Sequence, residues 1–386
     1  MPDLATGKIG IEYAREATLR GQPGNERVEV NARGRPIRVF RDFEPSAGKD
    51  VRLALDIGVQ QFVTEILRMG NSEPVDMASA EVQRAIANDR DLKLHLASGE
   101  NMLLRDSLGR ITPPESGAVV VMDVRTGEVI SMVSSPTYDP NIFTERLLTR
   151  DWRRLQEHPR NPLLNRVTAG AYAPGSTFKM VVALAALEAG IISEKTRHFC
   201  NGSMDLGNRT FHCWFEDGHG SMNVIKALER SCDVFFYEVA LKTGIQRIKN
   251  MALRLGLGFP TGIDIPGEKP GIIPSHDWKL ATHGVVWTPG ETVNAGIGQG
   301  YVLTTPLQLA VMIARLANAE LAVTPSLQVL DSPPAFEPLD ISPAALRTIR
   351  KGMFQVTHGG LGTARAHNLS SSLGGMAGKT GTVQVK

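Results

Sequence analysis

The run Ser176 to Leu187 (STFKMVVALAAL) constrains this chain more than any other segment. It has the length of a helix and is apolar on nearly every face, so it is stable only with other elements packed around it. A chain of 386 residues can supply that surround and a smaller unit besides. Gly190 is suited to end the helix. Inside this apolar run stands a lysine, Lys179. Burial strips solvent from its cation, so its pKa is expected to fall and the neutral amine becomes available as a base.

Other segments give the surround. Val28–Asn31 and Pro36–Phe40 flank Arg33-Gly34 and read as a β-hairpin. Together with the rest of residues 1–49 they form a small β-rich unit with no core of its own. Val51–Leu55 reads as a short strand, and Asp56 as the N-cap of a helix carrying Val59, Phe62, Val63, Ile66 and Leu67. Residues 71–116 are mixed, with helical spacing around Val82–Ile86 and no role to assign. Gly117–Asp123 and Glu128–Val133 are strands joined by a turn at Arg125-Thr126-Gly127. A helix is expected over Val224–Leu241, with Gly244 beyond it. Thr304–Gln308 opens another, with Pro306 in its first turn. Gly378–Val385 alternates like a strand. The pattern predicts a mixed α/β (α+β) domain with an antiparallel sheet sandwiched by helices.

Ser176 and Lys179 lie three residues apart, so on a helix they share a face and Lys179 can reach the hydroxyl. A serine needs such a base to become a nucleophile. Pro174-Gly175 allows a sharp entry that puts Ser176 at the positive end of the helix, where an oxyanion is favoured. A Ser-x-x-Lys match is expected about once by chance in a chain this long. A decoy is indeed present at Ser46-Ala47-Gly48-Lys49, in a polar linker with no helix behind it. Ser231-Cys232-Asp233 and Lys379-Thr380-Gly381-Thr382 follow in the order of the penicilloyl-serine transferases. Lys242-Thr243-Gly244 is a second decoy, its glycine placed to end a helix. Singly, each motif has an ordinary structural explanation; their joint occurrence on suitable elements does not.

The formal net charge is +2 and basic residues do not cluster, which argues against nucleic acid as a partner. The longest apolar stretch, Met180–Leu187, is too short to span a bilayer. Cys200, Cys213 and Cys232 fall within one short stretch with His219 among them. Three thiolates and one imidazole match a closed structural zinc site. A Cys200–Cys213 disulfide with a buried Cys232 is the alternative, and His198 and His212 are possible substitute ligands. Cys232 lies between Ser231 and Asp233, so it points away from a pocket they face, and a metal there would staple the 200–219 loop behind the catalytic helix.

Tyr172–Lys179, Gly296–Tyr301, Thr305–Ala310, Pro136–Asn141 and Pro162–Arg166 resemble the class B penicillin-binding proteins. Asp233, where most of that class has Asn, resembles the penicillin-binding protein 2 branch. The resemblance covers almost the whole chain and implies a β-lactamase-like fold. Residues 1–49 would be the distal part of the family's pedestal, and 50–386 the transpeptidase domain, apparently truncated after the Lys-Thr-Gly strand. In the family two more strands and a helix follow that strand, and a membrane helix precedes the pedestal. The chain is therefore expected to be part of a longer protein at the periplasmic face of the inner membrane.

The implied activity is cross-linking of peptidoglycan stem peptides by a serine D,D-transpeptidase. Ser176 would attack the penultimate D-Ala carbonyl, and Ser231 and Asp233 would shuttle the proton and position Lys179. Lys379 would hold the substrate carboxylate with Thr380 or Thr382, beside Gly381. The backbone N–H groups of Ser176 and Thr382 would form the oxyanion hole. β-Lactams would trap Ser176, and no cofactor would be needed for catalysis. Some penicillin-binding proteins 2 hold zinc beside the second motif through Asp, His and Cys, which fits His219 and Cys232, with Cys200 and Cys213 in place of carboxylates. The implied partners are a membrane glycan polymerase and other elongation-complex proteins. Alternatives are a D,D-carboxypeptidase or β-lactamase of the same superfamily, or a non-catalytic scaffold or sensor.

Overall fold

The apolar run that needs cover on all sides receives it. In the computed structural model, which describes residues 6–71, 104–105, 111–112, 116–143, 147–329, 332, 334–369 and 374–383, helix Lys179–Glu188 is packed by three others. These are Asp233–Thr243, Ile245–Arg254 and Pro343–His358. Every residue from Lys179 to Ala186 is buried. The first turn differs from expectation: Gly175–Phe178 is a 3-10 turn, and the α-helix proper begins at Lys179. Gly190, at φ 68, ends it.

The strand ladders among the described residues are antiparallel and two-stranded. Gly117–Met122 pairs with Val129–Ser135 around the expected turn, where Asp123 Oδ1 accepts from Arg125 N at 2.7 Å and Gly127 takes φ 78. Helices Ile57–Asn71 and Pro306–Asn318 pack on this hairpin. Gln60 keys the first of them to the sheet: its Nε2 donates to Met132 O and its Oε1 accepts from Met132 N, both at 2.9 Å. Asp56 caps that helix through Val59 N at 3.0 Å. Thr305 and Gln308 form a capping box that opens Pro306–Asn318, so both predicted helix starts are present. The N-terminal hairpin pairs Asn25–Val30 with Pro36–Phe43, and its Val28, Val30, Ile37, Val39, Phe40 and Phe43 are exposed.

Three expected elements differ. Val51–Leu55 is not a strand; it makes a single bridge, Leu53 to Gln328, because the chain turns into the helix capped by Asp56. The helix expected over Val224–Leu241 is two helices, Val224–Glu229 and Asp233–Thr243. Ser231 at φ 53 breaks it, since a left-handed residue cannot continue a right-handed helix. Residues 378–383 form no strand, because no ladder partner lies beside them among the described residues; 384 and 385 fall outside those residues. The helical spacing noted at Val82–Ile86 also falls outside them. Among the described residues no helix is long and apolar enough to cross a membrane.

Leu184 is fully buried in the cluster that surrounds the central helix. Leu184→Ala should lower unfolding free energy by about 2–5 kcal/mol in equilibrium denaturation, and a loss under about 1 kcal/mol would contradict this packing.

Candidate active site

The entry to the central helix is built of backbone in close contact. Gly175 takes φ 55 and its N–H donates to Gly298 O at 2.9 Å. A Cβ on Gly175 would meet Thr382 O at 2.6 Å, and one on Gly298 would meet Gly175 O at 2.2 Å. Gly381 lies against Pro174 O and Thr177. The Ser176 turn is thus held between the Gly298 loop and the 381–382 segment, which brings the first and third motifs together.

The second motif arrives from the break between the two helices. Its left-handed residue turns the Ser231 carbonyl and hydroxyl toward Lys179. Lys179 Nζ, with no solvent exposure, donates to Ser231 O at 2.8 Å, Ser231 Oγ at 3.2 Å and Asp233 Oδ1 at 2.7 Å. The Phe236 ring lies 5.6 Å below the same nitrogen. Lys379 Nζ reaches the same hydroxyl, Ser231 Oγ, at 3.0 Å and also donates to Thr380 O at 2.9 Å. Two lysines from distant parts of the chain therefore share one serine. Burial, then the neighbouring Lys179 charge, push Lys379 down to about 7, while Asp233 acts in the opposite sense.

Lys179 meets the second motif as expected: its three donors go to Ser231 O, Ser231 Oγ and Asp233 Oδ1, the carboxylate within reach. The Ser176 hydroxyl makes no hydrogen bond among the described residues. Both decoys are structural. Thr243 is buried and Gly244, at φ 79, ends its helix, while the Lys49 N–H donates to Thr18 O in the N-terminal region.

Behind the second motif, Cys200, Cys213, His219 and Cys232 are all buried and their ligand atoms lie within 4.8 Å of one another. All three cysteines are free thiols. His219 Nδ1 is 3.4 Å from Cys213 Sγ and 3.7 Å from Cys200 Sγ. Zn–S of about 2.3 Å and Zn–N of about 2.0 Å set a tetrahedral S···N edge near 3.5 Å, so the donor set fits zinc in both chemistry and size. A hydrogen bond from the Cys232 thiol lowers Cys213 toward the thiolate, and that bond together with burial raises Cys232. His198 is instead held by Glu238, and His212 is exposed, so neither joins the cluster.

Two residues at the site carry no sequence signal strong enough to find them. Trp214 N donates to Asp233 Oδ2 at 2.9 Å, and its Nε1 to Ser231 O at 3.1 Å. Thr363 Oγ1 is 2.7 Å from Thr380 Oγ1, and its N–H is tied to Glu229 O. Adjacency to Cys213 was the only hint of the first; the second lies in an undistinguished polar loop.

A fold that wraps a half-buried Ser-x-x-Lys turn with a serine-aspartate turn and a Lys-Thr-Gly segment defines a class of acyl-serine proteins. The match to the penicillin binding protein transpeptidase domain over residues 117–386 makes the assignment, and the chain belongs to that family. Residues 2–53 match the penicillin-binding protein dimerisation domain. Within the family, relatives that it matches over nearly its whole length are of the penicillin-binding protein 2, or MrdA, type. The chain is 35% identical to the peptidoglycan D,D-transpeptidase MrdA of Escherichia coli K12 over 98% of its own length and 54% of the relative's. It is similar to Pseudomonas aeruginosa PBP2 solved with WCK 5153, with TM-score 0.72 and 33% identity over 93% of this chain and 69% of that one. Helicobacter pylori PBP2 solved with MreC gives TM-score 0.74 and 29% identity over 94% and 60%. The chain spans about half the length of the curated relatives it matches.

Because the Asp233 charge is what holds Lys379 up, Asp233→Asn should move the Lys379 titration below about 7. Lysine-selective NMR would follow it; a midpoint that stays or rises would contradict the charge arrangement.

Proposed function

We propose that this chain carries the acyl-transfer centre of a peptidoglycan D,D-transpeptidase, with Ser176 as nucleophile. The observation that carries the reading is the convergence of Lys179 and Lys379 on Ser231 Oγ, at 3.2 and 3.0 Å, beside the Ser176 turn. Two ammonium groups on one hydroxyl repel, which favours loss of a proton from the set near neutral pH. A proton lost from Lys379 is replaced from Lys179 through Ser231, leaving Lys379 as ammonium and Lys179 as the neutral base. Lys179 then takes the Ser176 proton as Oγ bonds to the penultimate D-Ala carbonyl. The backbone N–H groups of Ser176 and Thr382 receive the oxyanion. The proton passes through Ser231 to the departing D-Ala amine as the peptide C–N bond breaks. An amine from a second stem peptide next attacks the ester, gives up its proton by the same route and releases Ser176. Asp233 positions Lys179 throughout. Lys379, with Thr380 and Thr382 beside Gly381, holds the donor's terminal carboxylate. A β-lactam would enter as the donor does and stay as the Ser176 ester.

Cys200, Cys213, His219 and Cys232 would hold a structural zinc, which supplies cross-linking of the 200–219 loop and no chemistry. Residues 1–49 would form part of the pedestal and 50–386 the transpeptidase unit. The H. pylori relative is seen with MreC, and another relative belongs to a peptidoglycan synthase complex that coordinates polymerization and crosslinking. Partners of those kinds, on the periplasmic side of the membrane, suit this chain.

A fluorescent penicillin should label the chain covalently and fail to label Ser176→Ala. Labelling retained in that variant would overturn the reading, and drug turnover within seconds would replace it with a β-lactamase. Elemental analysis should give close to one zinc per chain, and a chelator should lower the melting temperature. Less than one zinc in ten chains would end the metal assignment.

A further inference from the structure

Besides Cys232 itself and an Arg230 bond to His219 O, Trp214 joins the Cys/His cluster to the catalytic turn. Trp214 follows Cys213, and its ring lies edge-on to His219 with 5.4 Å between centroids. From there it sends both of its N–H groups into the second motif. The backbone N–H holds Asp233 Oδ2 at 2.9 Å, the oxygen that Lys179 does not use. The indole Nε1–H donates to Ser231 O and Arg230 O, both at 3.1 Å. Ser231 O is also an acceptor for Lys179, so one carbonyl carries the indole and the ammonium on its two lone pairs.

Ser231 needs such support. A non-glycine residue at φ 53 is disfavoured and persists only where its surroundings over-determine it. Around Ser231 the over-determination is visible: Cys232 N is fixed to Ala227 O, Lys179 holds the inner side, and Trp214 holds the outer side. Trp214 as a residue is 58% exposed, an unusual position for a tryptophan whose indole nitrogen is engaged. Simple burial of apolar surface does not account for it.

We propose that Trp214 is a positioning residue for the acyl-transfer step, the clamp through which the Cys200–Cys213–His219–Cys232 loop fixes the Ser231–Asp233 turn against Lys179. The inference rests on the transpeptidase reading. It gives the cluster a use: not general rigidity, but delivery of two donors to the turn that carries the proton.

The test separates this role from a structural one. In Trp214→Phe the ring remains beside His219 and the indole bonds are lost. The same chain with Trp214 replaced by its benzothienyl analogue keeps the full ring shape and lacks only the N–H, which covers the case in which Phe fails to fold. Stopped-flow acylation by penicillin should show the acylation rate constant reduced about tenfold, the scale of one hydrogen bond to a charged network. The dissociation constant of the pre-acylation complex, the melting temperature and the metal content should match the parent. An acylation rate constant within twofold of the parent would overturn the proposal. Equal losses in rate, binding and melting temperature would assign Trp214 a structural role instead. Labelling that persists in Ser176→Ala fails the transpeptidase reading itself, a result distinct from either.

Discussion

The ammonium of Lys179 sits in the protein with no access to water, and the neighbourhood is arranged around that fact. An unpaired buried charge costs several kcal/mol, so the chain must bring acceptors to it. Asp233 brings the opposite charge, and the Ser231 carbonyl and hydroxyl bring the rest. To place all of these within reach of one nitrogen, the chain gives up a continuous helix and puts a serine in the left-handed region. The broken helix and the left-handed serine both follow from the need to accommodate one cation in an apolar core.

Legibility in the sequence divided along physical lines. Elements specified by local pattern were readable: the all-apolar helix, the Asp56 cap, the Thr305 capping box and the Gly127 turn each declare themselves in a few neighbouring residues. That the three motifs would meet was readable from their order along the chain, and the structure brings Lys179, Ser231, Asp233 and Lys379 together. What could not be read depends on distant partners. Nothing between Val224 and Leu241 announces a left-handed residue at Ser231, since its cause is a lysine 52 positions away. Gly378–Val385 has the alternation of a strand, but alternation supplies no neighbour to pair with. Trp214 reaches the site through its backbone and its ring nitrogen, which no spacing rule anticipates.

The polar site and the cluster behind it occupy opposite sides of one short turn. Ser231 and Asp233 face the lysines while Cys232, between them, faces Cys200, Cys213 and His219. Opposed side-chain directions over three residues thus separate the lysine-bonded network from a thiol cage. The separation keeps soft, oxidisable sulfur away from the two lysines, while leaving it close enough to stiffen the turn that faces them.

The seat of Ser176 is made almost wholly of main chain: Gly175 against Thr382 and Gly298, and Gly381 against Pro174. Main-chain atoms are the same in every amino acid. Inheritance has therefore little there to vary, and a population pressed to change how this pocket discriminates among ligands must draw its variants from the side chains around that seat.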